Sequence, residues 1–388
     1  MKSNYEPLGK HIQLVDYRNS EEVTSTVLGI SIDKEFMPSV ANVIGTDLSR
    51  YKLISKGLFA CNPMHVGRDE RLPIALYEKD NAAIVSPAYF MFEIIDRDVL
   101  NEEYLMMWFR RPEFDRECWF MTDGSVRGGI TWDDLCRIKL PVPSYARQCE
   151  IVESYRAITD RIALKRAEND NLEATAMSLY KSWFIDYEPF DLDDEGLPVG
   201  WYKAKLNDKL STSTQSINPQ KIDCDFVWHY SIPAYDNEKL PSKDIPSSIL
   251  SNKYIVPQNA ILVSKLNPDT KRIWRSVPCF DNAICSTEFI VFSTKEPTHR
   301  AFYYLLFNTG SFIDFLVSNA TGSTNSRMRV KPASSLDFEF ICPPNEVIDS
   351  FCRKVEPMLQ KIEENHLEIR KLKELIPIAV AKMMSSSR

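Results

Sequence analysis

Along residues 151–183 apolar side chains recur at alternating steps of four and three: Ile151, Tyr155, Ile158, Ile162, Leu172, Ala176, Leu179 and Trp183, with Lys165 and Asn169 filling two middle positions. The same register returns 200 residues later as Phe351, Val355, Met358, Ile362, Asn365, Ile369, Leu372, Ile376, Ala379 and Met383. A spacing of this kind, sustained over more than four heptads, predicts a long helix with a seam that packs on another helix. From Ile151 to Trp183 such a helix would be roughly 50 Å long. One stripe alone would be an ordinary core-facing helix; two in matching register, each following a globular segment, favour packing on each other. If a pseudo-twofold axis relates the copies, the helices run antiparallel. The expected helix–helix contacts are Ile151, Tyr155, Ile158, Ile162, Leu172, Ala176 and Leu179 against Phe351, Val355, Met358, Ile362, Ile369, Leu372 and Ile376. Lys165, Asn169 and Asn365 are costly in a dry seam but can fix its register. Pro357 and Pro377 each remove a backbone donor, so the second helix is expected to be less straight than the first.

The segments before the helices repeat as well. Ala83-Ile84-Val85-Ser86-Pro87-Ala88-Tyr89-Phe90-Met91-Phe92 aligns with Ala283-Ile284-Cys285-Ser286-Thr287-Glu288-Phe289-Ile290-Val291-Phe292, and both read as strands. Gly124-Ser125 meets Gly322-Ser323, and Leu140-Pro141-Val142-Pro143 meets Phe340-Ile341-Cys342-Pro343. Short β-branched runs mix with aromatic-rich helical runs around 104–110 and 301–308, which predicts an α+β domain in each half. Residues 185–200 carry six acids and no basic side chain, and read as the turn from the first helix into the second domain.

A chain of 388 residues, 44% apolar and 26% charged, is longer than one hydrophobic core usually supports and has the composition of a soluble folded protein. No apolar run suits a bilayer and the first residues lack a signal-peptide stretch, so no membrane association and a cytoplasmic location are expected. The nine cysteines are scattered without any Cys-x-x-Cys and only five histidines are present, which argues for reduced, apolar-type cysteines and no metal site. The net charge of −7 is spread over the chain, with no basic tail. A nucleic-acid partner would therefore have to be held by local patches, or with help from another subunit.

Glycine-rich nucleotide motifs and the Gly-x-Ser-x-Gly elbow are absent, so no catalytic residue is assigned. Asn62-Pro63-Met64-His65 is read as a strand-end turn, and Asp133-Asp134 as caps of a helical turn after Thr131. What remains is a pair of polar, basic loops at matching places in each repeat. In the first they are 62–71, with His65, Arg68 and Arg71, and 124–129, with Ser125 and Arg127. In the second they are 265–275, with Lys265, Lys271, Arg272 and Arg275, and 322–331, with Ser323, Asn325, Arg327, Arg329 and Lys331. Arginine and asparagine make paired hydrogen bonds to guanine and adenine edges, while lysine and serine suit phosphates. These residues are the candidate DNA contacts; arginine-bearing surface loops also occur in proteins that bind no nucleic acid.

The stretch Leu140-Pro141-Val142-Pro143-Ser144-Tyr145-Ala146-Arg147-Gln148, then Ile151-Val152, Asp160-Arg161-Ile162, Leu172 and Leu179-Tyr180-Lys181-Ser182-Trp183-Phe184-Ile185-Asp186-Tyr187-Glu188-Pro189-Phe190, resembles the central conserved region of type I restriction–modification specificity subunits. Leu197-Pro198-Val199-Gly200-Trp201 is similar to their lead-in to a second target-recognition domain. The resemblance implies two similar α/β target-recognition domains, 1–144 and 201–344, separated by two long antiparallel helices, 145–184 and 345–384, with 185–200 as an acidic linker. It further implies a non-catalytic subunit in which each domain reads one half of a bipartite site in double-stranded DNA and the helices set the gap. Two modification subunits, which bind S-adenosylmethionine and methylate adenine, would dock on the helices, and restriction subunits could join; no cofactor is expected in this chain. The first domain lacks a counterpart of the Leu-Pro-x-Gly-Trp lead-in, and the second helix lacks a glutamine matching Gln148, which leaves docking there less secure. Two other readings stay open: a coiled-coil scaffold for proteins only, and a stand-alone DNA methyltransferase, against which the missing cofactor-binding glycine motif argues.

Overall fold

The short apolar runs on either side of each helical stripe fold as small sheets, seen in a computed structural model that describes residues 5–39, 45–64, 66–122, 128–277, 280–322 and 328–385. The chain divides into two compact units, one formed by Met1–Asp160 with Leu372–Arg388 and the other by Arg161–Lys371.

In the first unit β1 (Tyr5–Pro7) pairs with β10 (Lys139–Pro141), tying the start of the domain to its end. A four-stranded antiparallel sheet has the order β2 (Ile12–Leu14), β9 (Phe90–Ile94), β6 (Phe59–Cys61), β7 (Ile74–Leu76). A second sheet has the order β4 (Phe36–Pro38), β3 (Val27–Ile30), β8 (Ala83–Val85), β5 (Lys52–Ile54), with β3 and β8 parallel. The central strands are apolar without a break because both faces are covered. Phe59 and Phe92 point into the cluster under helices Glu102–Phe109 and Pro112–Phe120, while Ala60 and Met91 point into a cluster with Leu28, Ile54 and Val85 of the other sheet.

The second unit repeats this plan strand for strand. Its strands are β11 (Tyr202–Lys205), β12 (Leu210–Ser213), β13 (Ser216–Ile217), β14 (Val227–Tyr230), β15 (Ser242–Asp244), β16 (Lys253–Ile255), β17 (Ile261–Ser264), β18 (Ile273–Arg275), β19 (Ala283–Cys285), β20 (Phe289–Thr294) and β21 (Glu339–Cys342). β11 pairs with β21, one sheet runs β12-β20-β17-β18, and the other runs β13-β16-β19-β14-β15. β14 and β19 form the parallel pair, and β13 is the one addition among the described residues. The two-faced pattern recurs, with Ile261, Val263 and Phe292 in one cluster and Leu262 and Val291 in another. In the 185–200 passage the acids are largely exposed, but Tyr187 and Phe190 pack edge-on against Trp201 at 5.5 and 4.9 Å.

The two seams become helices Tyr145–Phe184 and Asn345–Ser385. The second runs on through Pro357 and Pro377 as one helix. Within the second unit, Phe351 meets Tyr180, Trp183 and Phe184, Asn365 donates to Asn169 at 2.8 Å, and Arg161 pairs with Glu368. Partners that rise on one helix as they fall on the other define an antiparallel pair. Within the first unit, Ile151, Val152 and Val380 share one cluster, with Tyr155 and Ile376 packed against it. Of the expected seam residues, Ile151, Ile162, Ala176, Phe351, Val355 and Ile369 are buried. Tyr155, Ile158, Leu172, Leu179, Met358, Ile362, Leu372 and Ile376 are half-buried. The buried face is wider than an a/d stripe: Tyr180, Phe184, Ile348, Cys352 and Leu359 join the domain core because the helices also cover a sheet. The polar layer bonds across the seam through the Asn365 side-chain NH2, which donates to Asn169 and Glu168, and Lys165 lies 3.0 Å from Glu168 and 3.8 Å from Glu368.

Candidate nucleic-acid interface

In each unit the two loops singled out by sequence are bonded to each other, and by the same two hydrogen bonds. The Ile130 amide donates to Pro63 O at 3.1 Å and the Gly67 amide to Gly128 O at 3.0 Å. In the second unit the Val330 amide donates to Lys265 O at 3.0 Å and the Asn267 amide to Met328 O at 2.8 Å. The approach is close: a Cβ on Gly129 would lie 2.8 Å from Pro63 O. Residue 329, at the matching place, is an arginine whose amide and carbonyl both bond to Thr321 at 2.9 Å. Asn62 closes the turn after β6 by accepting from the Met64 amide at 3.2 Å, as a strand-end turn should. Thr131 and Asp134 form a reciprocal cap on the helix Trp132–Arg137.

A second link also recurs. Arg71 reaches Asp33 at 3.3 Å, and Arg272 grips Asp236 through Nε and Nη2 at 2.6 and 2.9 Å. Asp33 lies between β3 and β4, and Asp236 between the corresponding β14 and β15. Both arginines thus join the first loop to the neighbouring sheet. Arg272, whose side chain is only 15% exposed, is mainly a strut, while Arg71 remains half exposed.

The other predicted contacts sort by environment. Arg68, exposed on the short helix Val66–Asp69, pairs with Asp69. Lys271 donates to Asn308 O at 3.1 Å. Lys265 is half-buried, its amide bonded to Glu288 O. Arg329 is fork-bonded to Glu288 at 3.0 and 3.0 Å, and Lys331 is exposed just before helix Pro332–Ser335. His65, Ser125, Arg127, Ser323, Asn325 and Arg327 lie outside the described residues.

Arg275 is a correction. It sits on β18, a strand with every residue buried, and its guanidinium is 5% exposed. It pairs with Glu356 and lies 3.2 Å from Glu363 on the second long helix, so it cannot reach a base or a phosphate. Arg300 completes this cluster, 3.5 Å from Glu363 and donating to Ser276 O at 2.6 Å. Burial, then the neighbouring Arg275 charge, lowers the Arg300 pKa to about 10, and burial raises that of Glu363. No glycine or proline lies between Arg272 and Arg275, so nothing in the residues marks where the loop ends and the strand begins.

Sequence reasoning passed over Lys34, and it took Gln148 as part of a docking stretch without seeing what its side chain holds. Lys34, 4% exposed, donates to Asp115 at 2.7 Å and to Leu72 O at 2.8 Å, locking the end of the first loop to helix Pro112–Phe120. Gln148 is wholly buried; its amide donates to Val99 O and Pro143 O and accepts from the Asn101 amide. Nothing of Gln148 is left for a docking partner, and the matching position holds Ile348, in the core. The eight described cysteines are free, and burial pushes the thiols of Cys285 and Cys352 up to about 12. Among the described residues no cluster of His, Cys, Asp and Glu is placed to hold a metal, and no helix is long and apolar enough to cross a membrane.

No family model matches the chain. The type I restriction enzyme MjaIX specificity subunit of Methanocaldococcus jannaschii is 23% identical over 317 residues, covering 75% of this chain and 70% of that protein. The type I restriction enzyme HindI specificity subunit of Haemophilus influenzae is 21% identical over 329 residues, covering 66% of this chain and 70% of that one. Among solved structures, the S subunit of a type I restriction–modification system from M. genitalium superposes with a TM-score of 0.57 at 12% identity, over 98% of this chain and 95% of that one. The resemblance read from the conserved stretches is borne out in sequence similarity to specificity subunits, and the fold is shared with one of them.

Proposed function

We propose that this chain is the DNA-sequence-reading subunit of a type I restriction–modification complex. Each unit's paired loops face one half of a bipartite site, and the antiparallel helices set the gap and dock two modification subunits. The observation that carries the reading is the double repetition: one strand order and one pair of interloop hydrogen bonds, built twice in a chain similar to specificity subunits. Loops fixed on a rigid sheet are suited to recognition, and two such sites on one molecule make the second binding event intramolecular. Described interface arginines are already paired with carboxylates, so phosphate attraction is supplied mainly by the partners, in keeping with the acidic balance of the chain. S-adenosylmethionine would be bound by the modification subunits, and the chain would act in the cytoplasm.

The test is to sequence modified adenines in cells that carry or lack this chain while the modification subunits are present. A bipartite motif that appears only with the chain is expected. A motif unchanged by its removal would refute the reading, and tight S-adenosylmethionine binding by the isolated chain would favour a stand-alone methyltransferase.

A further inference from the structure

Three interface arginines are held in the same side-on manner. In Arg68, Arg272 and Arg329, Nε and Nη2 both donate to the two oxygens of one carboxylate. Exposure separates them. Arg272 is sunk at 15%, and Arg68 is gripped by its own sequence neighbour, within a single turn of helix. Arg329 is 47% exposed while its partner Glu288 is 27% exposed, so the acid is the better shielded of the two. Its backbone is fixed from both sides, by two bonds to Thr321 and by the bonds of its neighbours Met328 and Val330 to Asn267 and Lys265.

A guanidinium carries five N–H donors, and the fork consumes Nε–H and one Nη2–H. The end-on edge, with one Nη1–H and one Nη2–H lying parallel, takes no part in the fork. That edge matches O6 and N7 of guanine in the major groove. A carboxylate at its back orients the group and cancels much of its charge, which disfavours phosphate and leaves a neutral base edge as the better ligand. Lys331, two residues on, is exposed and has the opposite character, a flexible point charge suited to phosphate.

We infer that Arg329, buttressed by Glu288, reads a guanine in the half-site recognised by the second unit. The inference rests on the DNA-reading function proposed above and names the base class at one position.

The probe is a duplex panel in which each guanine of the methylation motif is replaced in turn by 7-deazaguanine, which lacks the N7 acceptor. Binding is measured with the complete complex of this chain and its modification subunits. At one guanine the wild type is expected to lose affinity on the order of 10-fold, whereas Arg329→Ala and Arg329→Lys complexes lose nothing further there. Glu288→Gln should reduce that discrimination without abolishing it. The salt dependence should be unchanged by Arg329→Ala and fall by about one counterion in Lys331→Ala. If the Arg329 variants stay as sensitive as wild type at every guanine, or if neither half-site contains one, the inference is overturned while the reading stands. If the wild-type complex shows no sequence preference at all, the reading itself fails. Arg329→Lys keeps the charge and the stem, so it separates loss of the reading edge from loss of folding.

Discussion

At the start of the first long helix a neutral amide does the anchoring: Gln148 fills three hydrogen bonds inside the first unit. At the same place on the second helix stands Ile348, and the second unit instead ties helix to sheet with the ionic group Arg275, Arg300, Glu356 and Glu363. Apart from the added β13, strand order, the parallel pair and the interloop bonds are the same in both units, so the repeat preserves shape and backbone bonding while the buried chemistry of the junctions has diverged. An amide clamp is insensitive to salt and pH, whereas a buried ion group holds only as long as every charge keeps its partner.

The sharpest way to break that contrast is Arg275→Ala. It leaves Glu363, whose side chain is 17% exposed, and Glu356 without their main partner, and should cost about 3–5 kcal/mol in denaturant unfolding of the whole chain. Replacing Arg275 and Glu356 together with Met and Leu should recover much of the loss. A cost below about 1 kcal/mol for the single change would mean that the cluster is solvated like a surface pair.

Gln148→Met keeps the volume but orphans two carbonyls and an amide, and should cost about 2–4 kcal/mol by the same measurement. Ile348→Val at the matching place should cost only about 1 kcal/mol. Equal losses at the two positions would remove the asymmetry.

The smallest effect is expected from His366, half-buried on the second helix. Burial, then the Lys239 and Arg370 charges, pushes its pKa down to about 4. The unfolded chain, with the group near its ordinary 6.5, therefore binds more protons in that window, and stability is lost as pH falls from 6.5 toward 4. The contribution reaches at most about 2 kcal/mol at pH 5. In His366→Gln the slope of Tm against pH over this range should flatten; an unchanged slope would assign it to other groups.

The helices were legible because a seven-residue apolar repeat is a long-range pattern that local chemistry cannot erase, and Asn169 facing Asn365 was visible in it as a break. The repeat was legible for the same reason, since Ala83–Val85 and Ala283–Cys285 must both fill a buried centre strand. Strand order was not legible: β6 and β17 are buried on both faces, and an unbroken apolar run of three or four residues carries no alternation to orient it. At the candidate interface, sequence singled out two loops in each unit that the structure brings together, but it could not tell an arginine that faces out from one that faces in. Arg275 and Arg329 are the same residue type in equivalent-looking stretches. Only their partners, on the second long helix and just before β20 respectively, set them apart.

The proposal that each unit reads one half of a divided site meets its decisive check when the loop pair of one unit at a time is replaced by that of a relative and modified adenines are mapped. Replacing 265–275 together with 322–331 should rewrite one half of the motif and leave the other half and the spacer untouched, and replacing 62–71 together with 124–129 should do the converse. Both halves changing together, or neither, would contradict it.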